Sequence, residues 1–151
     1  MPTRRSGSNP SDEVLGQLQG AMLEAILSGS PLPGHSRSLG LPDLPLVLSQ
    51  PAVVLSSQNL GGPIRVEGVR KPIYIVSEEA IQERAQREGD LLYLRFQPPQ
   101  SVLGGVLLTL EIRIAQRERG LPVLGMSGVQ VTFRQSGERW QAAEDTAAFA
   151  A

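Results

Sequence analysis

Three stretches in the second half of the chain alternate strictly between apolar and mixed residues, and a chain with that pattern has few folds open to it. Leu92, Leu94 and Phe96 alternate with Leu91, Tyr93 and Arg95. Leu108, Leu110, Ile112 and Ile114 alternate with Thr109, Glu111 and Arg113, and Val129, Val131 and Phe133 alternate with Gln130, Thr132 and Arg134. Successive side chains of a strand point to opposite faces, so each stretch predicts a strand with one aliphatic face and one mixed face. A helix-sized segment, Ser77 to Glu88, precedes them and stops at Gly89. The order predicts an α+β fold: a curved antiparallel sheet of about four to six strands packed on one or two helices, with a Pro-rich irregular N-terminal half. Pro98-Pro99-Gln100-Ser101 and the segment from Arg117 to Gly120 are read as the connecting turns, and Ser136-Gly137 as the link to a last strand carrying Trp140. Short connections of this kind favour antiparallel neighbours.

The first half is less regular. Residues 1–10 are polar and rich in Ser, Pro and Arg, which predicts disorder. Ser11 is a good N-cap, Asp12 and Glu13 suit the positive end of a helix dipole, and Val14, Leu15, Leu18, Met22, Ala25 and Ile26 share a face, so Ser11 to Ser28 reads as an amphipathic helix ended by Gly29. Gly16 and Gly20 weaken it by about 1 kcal/mol each relative to Ala, which makes it dependent on tertiary contacts. From Gly29 to Pro51, five prolines at 31, 33, 42, 45 and 51 argue against regular structure, while Leu39, Leu41, Leu44, Leu46, Val47 and Leu48 are too apolar for a free linker. This segment is expected to lie extended over the core, with a swapped arm reaching into a neighbour as the other arrangement its composition allows. Ala52 to Leu55, Ile64 to Glu67 and Ile73 to Val76 read as short strands around the turn signal Gly61-Gly62-Pro63. Residues 11–145 are thus expected to form one domain that includes the connection 29–51, with 146–151 as a fraying tail.

Composition removes several function classes. The chain has no cysteine, which excludes disulfides, thiolate nucleophiles and Cys-based metal sites. With 14 basic against 15 acidic residues no summed charge steers it toward nucleic acid or an anionic membrane. Lys71 is the single lysine. Val102 to Leu110, the longest apolar run, is broken by Gly104 and Gly105 and falls well below the roughly 20 residues of a membrane helix. No apolar stretch follows Arg4 and Arg5, so no secretory signal is read and a cytoplasmic location is expected.

Chemistry-bearing clusters are sparse. His35, the single histidine, sits among Pro, Gly and Ser, so neither a histidine metal cluster nor a serine–histidine triad assembles around it, and no cofactor or metal is expected. Gly61-Gly62 and Gly104-Gly105 lack the spacing of phosphate loops and read as turns. Trp140 reads as an anchor for the end of the sheet core. Glu111 with Arg113, and Tyr93 with Arg95 on a neighbouring strand, come nearest to a catalytic carboxylate with partners. On the mixed face the same residues form a cross-strand charge ladder, and that is the reading preferred here.

Gly89-Asp90, Tyr93-Leu94-Arg95-Phe96, Gly125-Met126-Ser127-Gly128 leading into Val129, Val131 and Phe133, and Gly137 followed by Trp140 together resemble a pattern in small uncharacterised bacterial proteins. Over about residues 70–142 the order of elements also resembles the nuclear transport factor 2-like and cystatin-like folds, in which a curved antiparallel sheet wraps around a helix. Enzymes of that class, such as ketosteroid isomerases and limonene epoxide hydrolases, carry acids inside the cone, whereas the inward faces assigned here are aliphatic. The expectation is therefore a non-enzymatic binding or assembly module. Its mixed face of Tyr93, Arg95, Thr109, Glu111, Arg113, Gln130, Thr132 and Arg134 would pack on a second copy or another protein, since an open sheet leaves one face without helix cover. The alternative is a small-molecule enzyme of the isomerase or epoxide-hydrolase type, holding a small hydrophobic ligand in an apolar pocket between sheet and helices.

Overall fold

The computed structural model describes residues 10–32, 39–118 and 127–143, and the backbone of residues 147–150. The sequence readings of residues 1–9, of His35 and of Gly125-Met126 lie outside the described residues.

The chain opens with α1 (Asp12–Ser28). The Ser11 hydroxyl accepts the Val14 amide at 3.2 Å and caps its start, and Gly29, at φ 74°, ends it in the left-handed conformation. The two glycines inside it have a packing reason. A Cβ on Gly16 would stand 3.0 Å from the Pro63 carbonyl oxygen, and one on Gly20 3.0 Å from that of Arg65. The helix gives up propensity so that the backbone of residues 62–65 can cross it closely. Gln19, fully buried, fixes this crossing: its amide donates to the Asn59 carbonyl at 2.9 Å and accepts from the Gly61 amide at 3.0 Å.

A short helix follows, α2 (Leu44–Leu48), where the proline content argued against regular structure. Pro45 falls in its first turn, where the missing N–H has no intrahelical acceptor to lose. Val47 is fully buried, so this turn of helix packs on the core.

The remaining elements are β1 (Val53–Ser56), β2 (Ile73–Val76), α3 (Glu78–Glu88), β3 (Leu91–Phe96), β4 (Gln100–Val102), β5 (Gly105–Ala115), β6 (Ser127–Ser136), β7 (Arg139–Ala142) and β8 (Ala147–Ala150). They build one curled, open sheet in the order β2-β1-β3-β5-β6-β7, with β4 added to β5 and β8 to β6. From β3 onward every pairing is antiparallel, as the short connections require. The other end of the sheet is not. β1 runs parallel to both β2 and β3, so the expected all-antiparallel sheet is a mixed one. Two crossovers are the cause: residues 57–72 carry the chain past α1 from β1 to β2, and α3 carries it from β2 over β1 to β3, each leaving the strands it joins parallel.

Several boundaries differ from the sequence reading for local reasons. Ile64 to Glu67, read as a strand, has no regular structure and belongs to the crossing over α1. Gln100 and Ser101, read as part of a turn, pair with Leu107 and Val106 in β4. The turn itself is Leu103-Gly104, where Gly104 at φ 73° supplies the left-handed residue a tight hairpin needs. Ala147 to Ala150, read as tail, pairs with Ser127 to Gln130 along the part of the β6 edge that β7 leaves open.

Helices lie on both faces of the sheet. Leu18, Met22, Leu23 and Ile26 of α1 pack on Leu94, Phe96, Leu108, Leu110, Val129 and Val131, the aliphatic face read from the alternation. Trp140 is partly buried against the end of this cluster, as expected. On the opposite face Ile81 and Ala85 of α3 close over Val54, Tyr93 and Ala115. The mixed face, expected to stand without helix cover, is therefore covered over its β1-β3-β5 corner.

Candidate functional site

The register of β3 against β5 sets Tyr93 opposite Arg113 and Arg95 opposite Glu111, the cross-strand ladder the alternation suggested. All four side chains emerge on the mixed face beside the first turn of α3. Glu111 is the hub. One carboxylate oxygen accepts from Arg113 at 2.9 Å and from Arg95 at 3.4 Å, while the other accepts from the Gln97 amide at 3.0 Å. Arg95 also reaches Glu78 at 3.0 Å, which ties the ladder to the helix. The Nε of Arg95 is buried with no hydrogen-bond partner among the described residues, so its fork is used through the two terminal nitrogens.

Electrostatics follow from these contacts. Burial pushes the Glu111 carboxyl up, but the hydrogen bonds from Gln97 and Arg113 and the charges of Arg113 and Arg95 outweigh it, and its pKa lies below the ordinary glutamate value. Burial draws the Arg113 guanidinium down, and its contacts with Glu111 and Tyr93 more than reverse this. The Tyr93 hydroxyl titrates above the ordinary tyrosine value, first through burial and then through its hydrogen bond to Glu78, against a smaller opposing effect of Arg113. The network thus holds an ionised acid and a neutral phenol among fixed cations.

The eight predicted face residues do not form one patch. Tyr93, Arg95, Glu111 and Arg113 make the network. Thr109 pairs with Gln130 across β5 and β6, Thr132 lies opposite Leu107, and Arg134 lies opposite Gly105, where it donates to the Leu103 carbonyl at 3.1 Å. Tyr93, Thr109, Glu111 and Thr132 are buried within the chain, so they cannot contact a partner as expected. The accessible ones are Arg95, Arg113 and Gln130, each half-buried, and Arg134, exposed. Two members of the network were missed. Gln97 could have been found, because it continues the same-face series 93, 95, 97 by one step. Glu78 could not, because its sequence signal is that of a first-turn acid of α3.

Recesses in the surface lie elsewhere. Two of about 500 and 560 Å³ open along the outer side of α1, lined in part by Glu24, Ala21 and the 63–68 connection. Among the described residues no group of histidines and acids could hold a metal ion, and no described helix is long and apolar enough to cross a membrane. Compared with protein-family models, curated proteins and solved structures, the chain matches none.

Proposed function

We propose that this protein is a non-enzymatic binding or assembly module that meets an acidic protein surface with the β5-β6 part of its mixed face. The observation that carries this reading is the division of charge across that face. Glu111 is buried and occupied by three donors, while Arg113, one of those donors, keeps 39% of its side chain accessible and Arg134 stands exposed on β6. The apolar cluster under α3 includes no residue of β6. A strand surface presenting Arg113, Gln130 and Arg134 suits a protein contact.

The preference over a small-molecule enzyme rests on the same group. A general acid or base must exchange its proton near the working pH, and a carboxyl held below its ordinary value by hydrogen bonds from Gln97 and Arg113 and by the charges of Arg113 and Arg95 is poorly placed for that. Between α1 and the sheet the side chains are packed aliphatics such as Met22, Leu94 and Leu110, and Gln19, a buried polar residue there, has both ends of its amide engaged.

The test is cross-linking in the source cells with the wild type and an Arg113→Gln, Arg134→Glu double variant. Gln at 113 keeps a donor for Glu111, so the fold should survive, which circular dichroism checks. A discrete adduct seen with the wild type and lost in the double variant is the expected result. The same adducts from both chains would overturn the proposal.

A further inference from the structure

The free edge at β2 offers a second surface, independent of the mixed face. Among the described residues β2 has a strand partner on one side alone, because it ends the strand order. Its sequence is Ile73-Tyr74-Ile75-Val76, with no charge in it, and Tyr74 and Ile75 are 54% and 48% exposed on opposite faces of the sheet. Edge strands are normally blunted by a charge, a bulge or a proline. The nearby proline does not serve. The Pro72 and Val76 carbonyls accept from Val53 and Ser57 of the β1 side, so even-numbered residues turn their backbone groups inward and the odd-numbered ones, Ile73 and Ile75, turn theirs outward. The donor Pro72 lacks belongs to the inner side, and the outer ladder keeps its amides.

The geometry points to a second copy of this chain as the occupant of that edge, with β2 paired antiparallel to the partner's β2 across a two-fold axis at Tyr74. Only a register that sets outward residues opposite outward residues forms a ladder, and this one places Ile73 against the partner's Ile75 and the reverse. The charges flanking the strand select the direction. Arg70 and Lys71 precede it and Glu78 and Glu79 follow it, so antiparallel pairing brings the basic start of one copy to the acidic end of the other. Parallel pairing would set like against like. Beside Ile73 and Ile75 lies a recess of about 340 Å³, lined by Leu55, Ile64, Val66, Val69, Pro72 and Lys71, on the face where the partner's two isoleucines would stand. Such a contact is isologous and closes at two copies.

The experiment is solution mass by light scattering across a concentration series on the intact chain and three variants. Wild type is expected to pass from one to two copies as concentration rises. Ile75→Pro removes an outward amide and no bond to β1, and should abolish the dimer while circular dichroism stays unchanged. Arg70→Glu, at an exposed position, should weaken the dimer at least tenfold by facing the partner's acids. Adding Glu79→Arg to it swaps the two charges within one chain and should restore the dimer, an outcome that only antiparallel pairing of identical edges produces. A wild type that stays monomeric throughout, or a dimer indifferent to Ile75→Pro or not recovered by the charge swap, would overturn the inference.

Discussion

The two faces of the sheet are held by different physics. On the α1 face, long aliphatic side chains from the helix and four strands exclude water over a broad cluster, and stability there scales with apolar area removed from solvent, at about 25 cal/mol per Å². On the α3 face the apolar cluster is small, built from Val54, Ile81, Ala85, Tyr93 and Ala115, and beyond it the strands are joined by the charges around Glu111. The first arrangement is non-directional and tolerant of pH. The second depends on geometry and on protonation state. Removing one partner of a buried charged group costs more than the group contributes when intact, because the remaining charges stay without compensation. The α1 face therefore sets how stable the fold is, and the α3 face sets the conditions under which that stability holds.

This contrast can be broken at its strongest point first. Phe96→Ala, at a fully buried position on the α1 face, should destabilise the fold by about 3–5 kcal/mol, read from urea midpoints. The value should be the same at acid and neutral pH; a strong pH dependence would show that the two faces are not separable. Glu111→Gln should cost less, about 1–3 kcal/mol at neutral pH, because Arg95 and Arg113 lose their acid but remain partly hydrated. Its sign with pH is fixed. The Glu111 pKa is lower in the folded chain than in the unfolded one, so its contribution is complete above the ordinary glutamate value and is lost as pH falls through the depressed folded value. Wild type and variant should converge in stability over that acid range, and parallel curves would contradict the network assigned here. Ser77→Ala should have the smallest effect, about 1 kcal/mol, by removing the hydroxyl that accepts the Ala80 amide at 3.2 Å at the start of α3. Melting of the double variant Ser77→Ala, Glu111→Gln would sharpen the comparison: with Glu78 anchoring Arg95 from that same first turn, the two losses should not add.

Much of the α1 face was legible in the sequence, and the reason is periodicity. Leu92-Leu94-Phe96 and Val129-Val131-Phe133 alternate without interruption, and Ser11 and Gly29 mark the ends of α1 by chemistry that acts within a few residues. The cross-strand ladder was legible for the same reason, since it follows once β3 and β5 are taken as neighbours. What could not be read depends on partners distant in the chain. β1 and β2 are four residues each, too short to show a direction, and their parallel pairing follows from the crossing of residues 57–72 between them. The crossing from β2 to β3 places α3 on the mixed face and closes it over Tyr93, one of the residues that alternation had assigned to an interface. Alternation reports which side chains share a face, and it is silent on what covers them. The short helix α2 was hidden by its prolines, because a count of prolines does not reveal that Pro45 falls where a helix begins.

Where the sheet changes from parallel to antiparallel pairing, one side chain takes the place of a strand. β1 meets β3 at Leu55 and Leu94, and toward Leu92 the Gln50 amide takes over, donating to the Leu92 carbonyl at 2.9 Å and accepting its N–H at 3.0 Å. Lys71 in turn donates to the Gln50 carbonyl at 2.6 Å. A strand can leave such a position only by giving up several bonds together, whereas a glutamine leaves by turning about its own single bonds. At Leu92 the sheet can therefore open and reclose one residue at a time, a local fluctuation far below the cost of unfolding that leaves the antiparallel strands beside it intact.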